Sequence, residues 1–102
     1  MAKEYNPKLI IAGSSAYPYD YDWPTLRSIA DECGALLHAD VCHLAGMIMG
    51  GQLSNPLPYA DIVMFTTHKS MMGPRGACIV TKVYVLFHSI LRRSVDCSSM
   101  PL

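Results

Sequence analysis

The sequence predicts an α/β fold in which helices cover a mixed, mostly parallel sheet. Two observations support this prediction. The apolar residues form short continuous runs rather than alternating with polar ones, which is typical of strands buried on both faces. Between the first two runs, the apolar residues take the spacing of an amphipathic helix. A chain of 102 residues has room for one small domain at most.

Local signals predict the first strand and the helix after it. Residues 9–13 form a continuous apolar run and predict a strand that is buried on both faces. The helix follows from apolar residues at i, i+3, i+4 and i+7, starting at Leu26. Asp22 is a suitable N-cap, Pro24 lies in the first turn and Gly34 is a suitable stop.

Three further strands are predicted at residues 35–41, 62–67 and 77–80. A Gly-rich connector at residues 46–51 precedes the second of these, and a turn at residues 73–76 precedes the third. The predicted order is therefore strand, helix, strand, strand, strand. Since one helix cannot cover both faces of a buried sheet, we expect the chain to be a slice of a larger α/β domain.

Charge and hydropathy exclude two classes of partner. Eight basic and eight acidic side chains cancel, so no charge field indicates nucleic acid or an anionic membrane. No apolar run approaches the ~20 residues that span a bilayer, and the first residues lack the apolar stretch of a secretory signal. We expect a cytoplasmic protein, with an organellar form as the alternative.

The four cysteines show no CxxC pair. This spacing favours reduced thiols over a disulfide framework or a zinc ribbon. The cysteines are Cys33, Cys42, Cys78 and Cys97.

Polar residues gather where the predicted strands end. In open α/β sheets, ligands bind beyond the carboxyl ends of the strands. The polar residues at those ends are Ser14, Ser15, Asp40, His43 and the run 66–69. Pyridoxal phosphate needs a lysine amine for its Schiff base and a carboxylate to keep its pyridine nitrogen protonated. Lys69 and Asp40 would supply these two groups.

Four sequence blocks in this order resemble serine hydroxymethyltransferases: SSAYPYDYDW, GALLHADVCHLAG, PYADIVMFTTHKS and GPRGACI. The resemblance runs over residues 7–82. It implies a fragment of the large domain of a type I, aspartate aminotransferase-like pyridoxal-phosphate enzyme. After Lys82 the resemblance by motif stops. We therefore predict a partial cofactor-binding large domain at residues 1–82 and a non-matching tail at residues 83–102.

The resemblance also implies an activity and partners. Serine hydroxymethyltransferases use pyridoxal 5'-phosphate to interconvert serine plus tetrahydrofolate with glycine plus 5,10-methylenetetrahydrofolate. The parent enzymes are homodimers or homotetramers. No nucleic acid, membrane or metal is implied.

The resemblance assigns roles to residues by position. Lys69 matches the Schiff-base lysine of the THK motif, and Asp40 matches the carboxylate that pairs with the pyridine nitrogen. His43 matches the DxxH histidine beside the ring hydroxyl, and Ser15 matches the serine of SAY that lies against the cofactor. Thr66 matches a threonine near the amino-acid substrate.

Two further residues complete the implied set. His68 matches a phosphate-proximal histidine and Arg75 matches the arginine of GPRG, so both are expected to contact the cofactor. The implied catalytic residues are Lys69, Thr66 and His68.

The chain also departs from the family pattern. Cys42 stands where the family usually has alanine or serine, and Phe65 stands where it usually has threonine. We expect Phe65 and Met72 to place apolar bulk beside polar groups of cofactor and substrate. Nothing matches the phosphate-binding loop, the ring-stacking histidine, the arginine that binds the substrate carboxylate or the folate pocket. The isolated chain is therefore predicted to be inactive.

Simpler interpretations of these residues remain open. Ser15 can cap a turn, Asp40 can cap a helix and Arg75 can form a surface ion pair. Residues 38–43 could be read as a metal cluster, but a strand would not bring His43 to the same side as the others.

Two alternative functions also remain open. One is a non-catalytic remnant that packs against a full-length subunit. The other is a different type I pyridoxal-phosphate enzyme, such as an aldolase.

Overall fold

The computed structural model describes residues 1–82, and the predicted tail, with Cys97, lies outside this range. The elements in chain order are α1 (Ala2–Tyr5), β1 (Leu9–Gly13), α2 (Trp23–Cys33), β2 (Leu36–Asp40), α3 (Ala45–Met49), β3 (Ile62–Thr66) and β4 (Ala77–Thr81).

The four strands form one sheet in the order β1-β2-β3-β4. β1 pairs with β2 and β2 with β3 in parallel, whereas β4 runs antiparallel to β3. This mixed, mostly parallel sheet with helices confirms the predicted fold class. Gly13 pairs with Asp40, and Asp40 pairs with Met64, so the carboxyl ends of the three parallel strands meet at one edge.

Helix α2 begins and ends where the sequence predicts. The Asp22 side chain accepts hydrogen bonds from the Thr25 N–H at 3.0 Å and from the Thr25 hydroxyl at 2.7 Å, which caps the first turn. Gly34 ends the helix in the left-handed region at φ 64°, where a side chain would be strained. Ala30 is fully buried on the inner face of the helix.

An ion pair fastens α2 to the sheet. Arg27 Nη1 lies 2.7 Å from Asp61 Oδ2, and the same oxygen accepts a hydrogen bond from the Leu37 N–H at 2.8 Å. Arg27 Nη2 also donates to the Ala35 carbonyl at 3.2 Å. These contacts join the helix to the beginning of β2 and to the residue before β3.

Within residues 1–82, helix α2 covers one face of the sheet. The hydrophobic core on that face includes Ala12, Ala30, Leu37, Ala39 and Val63. On the other face, the exposed large side chains are Leu9, Ile11, Leu36 and Ile79.

The prediction that residues 9–13 are buried on both faces is wrong for the described chain. Ala12 is the one buried residue of β1, and Ile11 is 63% exposed. The reason is that β1 is an edge strand whose outer face no described helix covers.

The Gly-rich stretch predicted as a connector instead contains helix α3, and α1 was not predicted either. Gly46 lies in α3 although glycine is a weak helix former. A Cβ at Gly46 would overlap the backbone carbonyl of Ser70, so glycine is needed for the close approach of these two segments. Packing against a residue distant in sequence therefore outweighs the local propensity.

Candidate functional site

A cleft of about 290 Å³ opens at the edge where the parallel strands end. Gly13 is the last residue of β1 and Asp40 the last residue of β2, while Lys69 lies in the loop after β3. The full lining is Gly13, Ser14, Ser15, Asp40, Cys42, His43 and Lys69. The cleft is thus small and polar, with an amine and a carboxylate among its side chains.

The wall formed by Gly13 and Asp40 depends on the absence of a side chain. A Cβ built at Gly13 would overlap the Asp40 carbonyl oxygen and lie 2.9 Å from the Asp40 Cβ. Real Cβ atoms essentially never make contacts this short, so the two strand ends can approach in this way only with glycine at position 13. The two serines that follow Gly13 are thereby brought to the cleft.

The Asp40 carboxyl is ionised near neutral pH. Its Oδ1 accepts a hydrogen bond from the Cys42 N–H at 3.2 Å. Burial raises the pKa of Asp40, but its interactions with Cys42 and its attraction to His38 and Lys69 lower it by more, so the net pKa lies below the ordinary value. The cleft therefore presents a carboxylate.

The pKa of the neighbouring Cys42 thiol is shifted upward, in the opposite direction to that of Asp40. Burial raises the pKa of Cys42, and its interaction with the nearby Asp40 carboxylate raises it again. Lys69 opposes this shift only in part. Cys42 is 7% exposed and remains a protonated thiol at neutral pH.

Hydrogen bonds within its own loop hold the Lys69 backbone. The Met72 N–H donates to the Lys69 carbonyl at 2.9 Å, and the Gly73 N–H donates to the Thr67 carbonyl at 2.7 Å. The Thr67 hydroxyl donates to the Pro74 carbonyl at 2.5 Å. The Lys69 side chain itself is exposed at the cleft.

A second contact fastens this loop to α3. The Ser70 hydroxyl oxygen accepts a hydrogen bond from the Gly46 N–H at 3.0 Å. The missing side chain of Gly46 lets the Ser70 backbone lie directly against the helix. Lys69, which precedes Ser70, therefore lies in a loop whose backbone is held by hydrogen bonds on both sides of it.

The serine side of the cleft connects to the core through aromatic rings. The Tyr21 hydroxyl donates to Ser14 Oγ at 2.8 Å, and the Tyr21 ring stacks on Trp23 with centroids 5.0 Å apart. Trp23 is 1% exposed and its indole N–H donates to the Ser54 carbonyl at 3.1 Å. The Ser14 hydroxyl is thus held by Tyr21. Ser15 lines the cleft, and among the described residues its side chain has no hydrogen-bond partner.

The structure brings four of the seven candidate residues together. These four line the cleft: Ser15, Asp40, His43 and Lys69. Sequence reasoning did not include Gly13 or Cys42 in the site. Their signals were a glycine directly after an apolar strand and a small residue two positions beyond the carboxylate.

The other three candidates do not line the cleft. Thr66 Oγ1 donates to the Cys42 carbonyl at 3.4 Å, so its hydroxyl is directed at the backbone. His68 is half-buried, with a buried Nδ1 that has no hydrogen-bond partner. Arg75 is exposed on the turn before β4.

The expectation that Phe65 and Met72 place apolar bulk beside polar groups of cofactor and substrate stays a prediction. Phe65 packs against the hydrophobic core and lines an apolar groove together with Val63 and Val80. Met72 is 91% exposed on the loop. Neither lines the cleft.

Among residues 1–82, no three histidine, cysteine, aspartate or glutamate side chains converge so that they could hold a metal ion. None of the helices in this part of the chain has the length and apolar character needed to cross a membrane.

Comparison with known proteins gives one consistent result. The family model described as serine hydroxymethyltransferase matches residues 1–96. A serine hydroxymethyltransferase of Bartonella henselae is 52% identical over 90 residues, which is 88% of this chain and 21% of the relative. A Bartonella tribocorum protein of the same name is 56% identical over 81 residues, covering 79% of this chain and 18% of the relative.

A protein of Pseudomonas fluorescens named serine hydroxymethyltransferase 2 is 52% identical over 82 residues, covering 80% of this chain and 20% of the relative. The chain thus spans about a fifth of the length of these relatives. The family match includes residues 83–96, which the motif blocks left out. The division of the chain at residue 82 stays a prediction.

Proposed function

The chain belongs to the serine hydroxymethyltransferase family, and we propose that it is the segment of such an enzyme that holds the cofactor through Lys69. The whole enzyme would interconvert serine plus tetrahydrofolate with glycine plus 5,10-methylenetetrahydrofolate. The observation that carries this proposal is the meeting of the Lys69 amine and the Asp40 carboxylate in one cleft.

The groups of the cleft suit pyridoxal 5'-phosphate. A primary amine can bond to the aldehyde carbon, and an ionised carboxylate can pair with a protonated pyridine nitrogen. Asp40 carries such a carboxylate because its pKa is lowered on balance, despite the burial that raises it. The cleft volume of about 290 Å³ is close to the lower limit of small-molecule sites, roughly 300 Å³.

When bound, the cofactor supplies an electron-withdrawing ring for the electrons released as a bond to the substrate Cα breaks. Lys69 Nζ would hold the cofactor in the cleft, and Asp40 would keep a proton on the pyridine nitrogen. His43 and Ser15 would hydrogen-bond to the polar groups of the ring, because both line the same cleft. Together these residues would bind and orient the cofactor.

Three further residues would act at the cofactor phosphate and at the substrate. His68 would contact the phosphate through its unpartnered Nδ1. Arg75 would do so from the exposed turn. Thr66 would act on the substrate side, although its hydroxyl is directed at the Cys42 carbonyl. The folate pocket would come from another part of the enzyme.

A graft tests the proposed function. Residues 7–82 would replace the matching segment of the Bartonella henselae relative, and serine–glycine exchange and cofactor retention would be measured. We expect activity with Lys69 and its loss in Lys69→Ala, while Lys8→Ala serves as a control because Lys8 is exposed and away from the cleft. Equal activity of the Lys69→Ala graft would refute the assignment of Lys69.

The whole enzyme's assembly and location are proposals as well. We propose a homodimer or homotetramer in the cytoplasm. All three relatives carry the hydroxymethyltransferase name, and therefore the comparisons give the aldolase alternative no support.

The open face of the sheet favours a second candidate function, a non-catalytic chain that packs against a full-length subunit. Its exposed apolar residues include Leu9, Ile11 and Leu36. Sedimentation of the chain mixed with the full-length relative tests this. Ile11→Lys should abolish co-sedimentation and Tyr19→Lys, on a loop away from the sheet, should not. Co-sedimentation that survives Ile11→Lys would exclude this face as the contact.

A further inference from the structure

We propose that Ser14 is a further residue that binds the cofactor, and that Tyr21 is the positioning residue that holds the Ser14 hydroxyl at the cleft. The contact between the two side chains exists in the chain itself, while its value for a cofactor rests on the proposed function. The family resemblance assigns a role to Ser15 and none to Ser14, so the motifs alone do not indicate this residue.

Ser14 lies on the boundary between two concave surfaces. On one side it lines the cleft, together with Asp40 and Lys69. On the other side it lines a hollow of about 330 Å³, whose walls include Tyr21 and Leu26. The Tyr21 hydroxyl donates to Ser14 Oγ at 2.8 Å. Because Tyr21 lines the hollow and not the cleft, it contacts Ser14 without occupying space that a cofactor would need.

The direction of this hydrogen bond leaves the Ser14 proton available. A serine hydroxyl has one O–H donor and two acceptor positions, and the more acidic phenol of tyrosine is the better donor of the two groups. The oxygen of Ser14 accepts from Tyr21, and among residues 1–82 no group accepts the Ser14 proton. Donation by Tyr21 also polarises the Ser14 hydroxyl, because hydrogen bonds in a chain strengthen one another. Ser14 can therefore donate to an oxygen of pyridoxal phosphate in the cleft.

Packing and a backbone hydrogen bond hold Tyr21 in place. Its ring stacks on Trp23 with 5.0 Å between centroids and 24° between planes, and the Tyr17 ring lies 5.2 Å away. Its N–H donates to Asp20 Oδ1 at 2.9 Å. A side chain that is already ordered loses little further entropy when its hydroxyl makes a hydrogen bond. Tyr21 is thus suited to fix the position of the Ser14 hydroxyl.

Two substitutions separate the hydroxyl groups from the packing. Tyr21→Phe removes the phenol O–H and keeps the ring that stacks on Trp23. Ser14→Ala removes both the acceptor of the Tyr21 bond and the proposed donor to the cofactor. Tyr19→Phe is the matched control, since Tyr19 is 71% exposed and lines neither the cleft nor the hollow.

The first test uses the full 102-residue chain without cofactor. We expect Tyr21→Phe to shift the ¹³Cβ resonance of Ser14 in NMR spectra, and Tyr19→Phe to leave it unchanged. A double-mutant cycle of unfolding in denaturant is the second measurement. The loss of stability caused by Tyr21→Phe should be smaller when position 14 is alanine. An unchanged Ser14 resonance in Tyr21→Phe, or losses of stability that simply add, would overturn the contact.

The second test measures the Kd of pyridoxal 5'-phosphate for the full chain, from the change in cofactor absorbance on binding. We expect Ser14→Ala and Tyr21→Phe each to raise the Kd by roughly two- to tenfold, which is the equivalent of one neutral hydrogen bond. The double variant should bind no more weakly than Ser14→Ala, because Tyr21 acts through Ser14. Tyr19→Phe should keep the native Kd. An unchanged Kd in Ser14→Ala, or a further loss in the double variant, would overturn the proposal.

The outcomes distinguish this proposal from the proposed function. If the native chain does not bind the cofactor, or binds it equally well in Lys69→Ala, the proposed function fails and the cofactor role of Ser14 fails with it. If the native chain binds the cofactor through Lys69 and Tyr21→Phe binds it as tightly, only the positioning role of Tyr21 is lost and the proposed function stands.

Discussion

Gly13 and Asp40 lie side by side at the ends of two parallel strands, and their backbones approach so closely that no side chain fits between them. This contact sets the geometry of the cleft, because Ser15 follows the glycine and the Asp40 carboxylate forms the facing wall. The position of the serines relative to the carboxylate therefore depends on glycine at position 13.

Gly13→Ala should separate the two strand ends. Overpacking of this kind typically costs about 1 to 3 kcal/mol of stability. We expect a lower free energy of unfolding in denaturant, together with altered backbone NMR shifts at Asp40 and Ser15. Gly50→Ala is the control, since the nearest atom to its added Cβ is 3.3 Å away and its φ is −76°. Native shifts at Asp40 in Gly13→Ala would disprove the close contact.

Asp61→Asn should weaken the attachment of α2 to the sheet. Asp61 and its partner Arg27 have side-chain exposures of 26% and 22%, and hydrogen bonds to charged groups in such settings contribute about 1.5 to 3 kcal/mol. Asp31→Asn is a matched control, because Asp31 pairs with the same arginine at 2.8 Å but is 66% exposed. Exposed pairs contribute about 0 to 1 kcal/mol. Equal losses of stability in the two variants would contradict this ranking.

The stability of the chain should fall in acid. Burial raises the pKa of Asp61, but the Leu37 N–H and Arg27 lower it more, so its folded pKa is depressed. A depressed carboxyl pKa stabilises the fold above the unfolded value of about 3.9, and this contribution is lost as the pH falls through the folded pKa. Denaturant titrations from pH 7 down to pH 2 should show this loss. The loss should be smaller in Asp61→Asn, and an identical acid dependence would show that Asp61 does not contribute.

Met72→Gly should stabilise the loop that carries Lys69. Met72 adopts the left-handed conformation at φ 56°, which costs a residue with a side chain roughly 1 to 2 kcal/mol. Glycine removes this strain, although its freer unfolded state offsets about 0.4 to 1 kcal/mol. A small rise in melting temperature is expected, because the exposed methionine side chain loses little packing. Met71→Gly, at a half-buried neighbour, should lower the melting temperature, and a decrease in both variants would refute the strain at Met72.

Helix α2 could be predicted from sequence because all of its signals are local. Asp22 and Gly34 mark its ends, and both act on residues within one turn. Helix α3 could not be predicted in this way, since Gly46 is accommodated through its contact with Ser70, 24 positions along the chain. The exposed face of β1 was mispredicted because a continuous apolar run does not show whether a second layer covers it.

The candidate site could likewise be predicted only in part from the sequence. Asp40 and Lys69 were predicted to meet because parallel strands end at one edge of a sheet, and that placement follows from topology alone. The directions of the Thr66 and His68 side chains depend on the loop between β3 and β4, whose course is fixed by bonds such as that between Thr67 and Pro74. Sequence order could not supply those directions.

Reductive trapping of pyridoxal phosphate on the chain tests the central proposal most directly. The full chain would be incubated with the cofactor and reduced with borohydride, and the modified lysine would be identified by peptide mass spectrometry. We predict preferential modification of Lys69 over the other three lysines, which are Lys3, Lys8 and Lys82. This preference should diminish in Asp40→Asn, because the pyridine nitrogen would lose its carboxylate partner. Equal modification of all four lysines, or a preference for Lys69 that Asp40→Asn leaves unchanged, would contradict the account of the cleft.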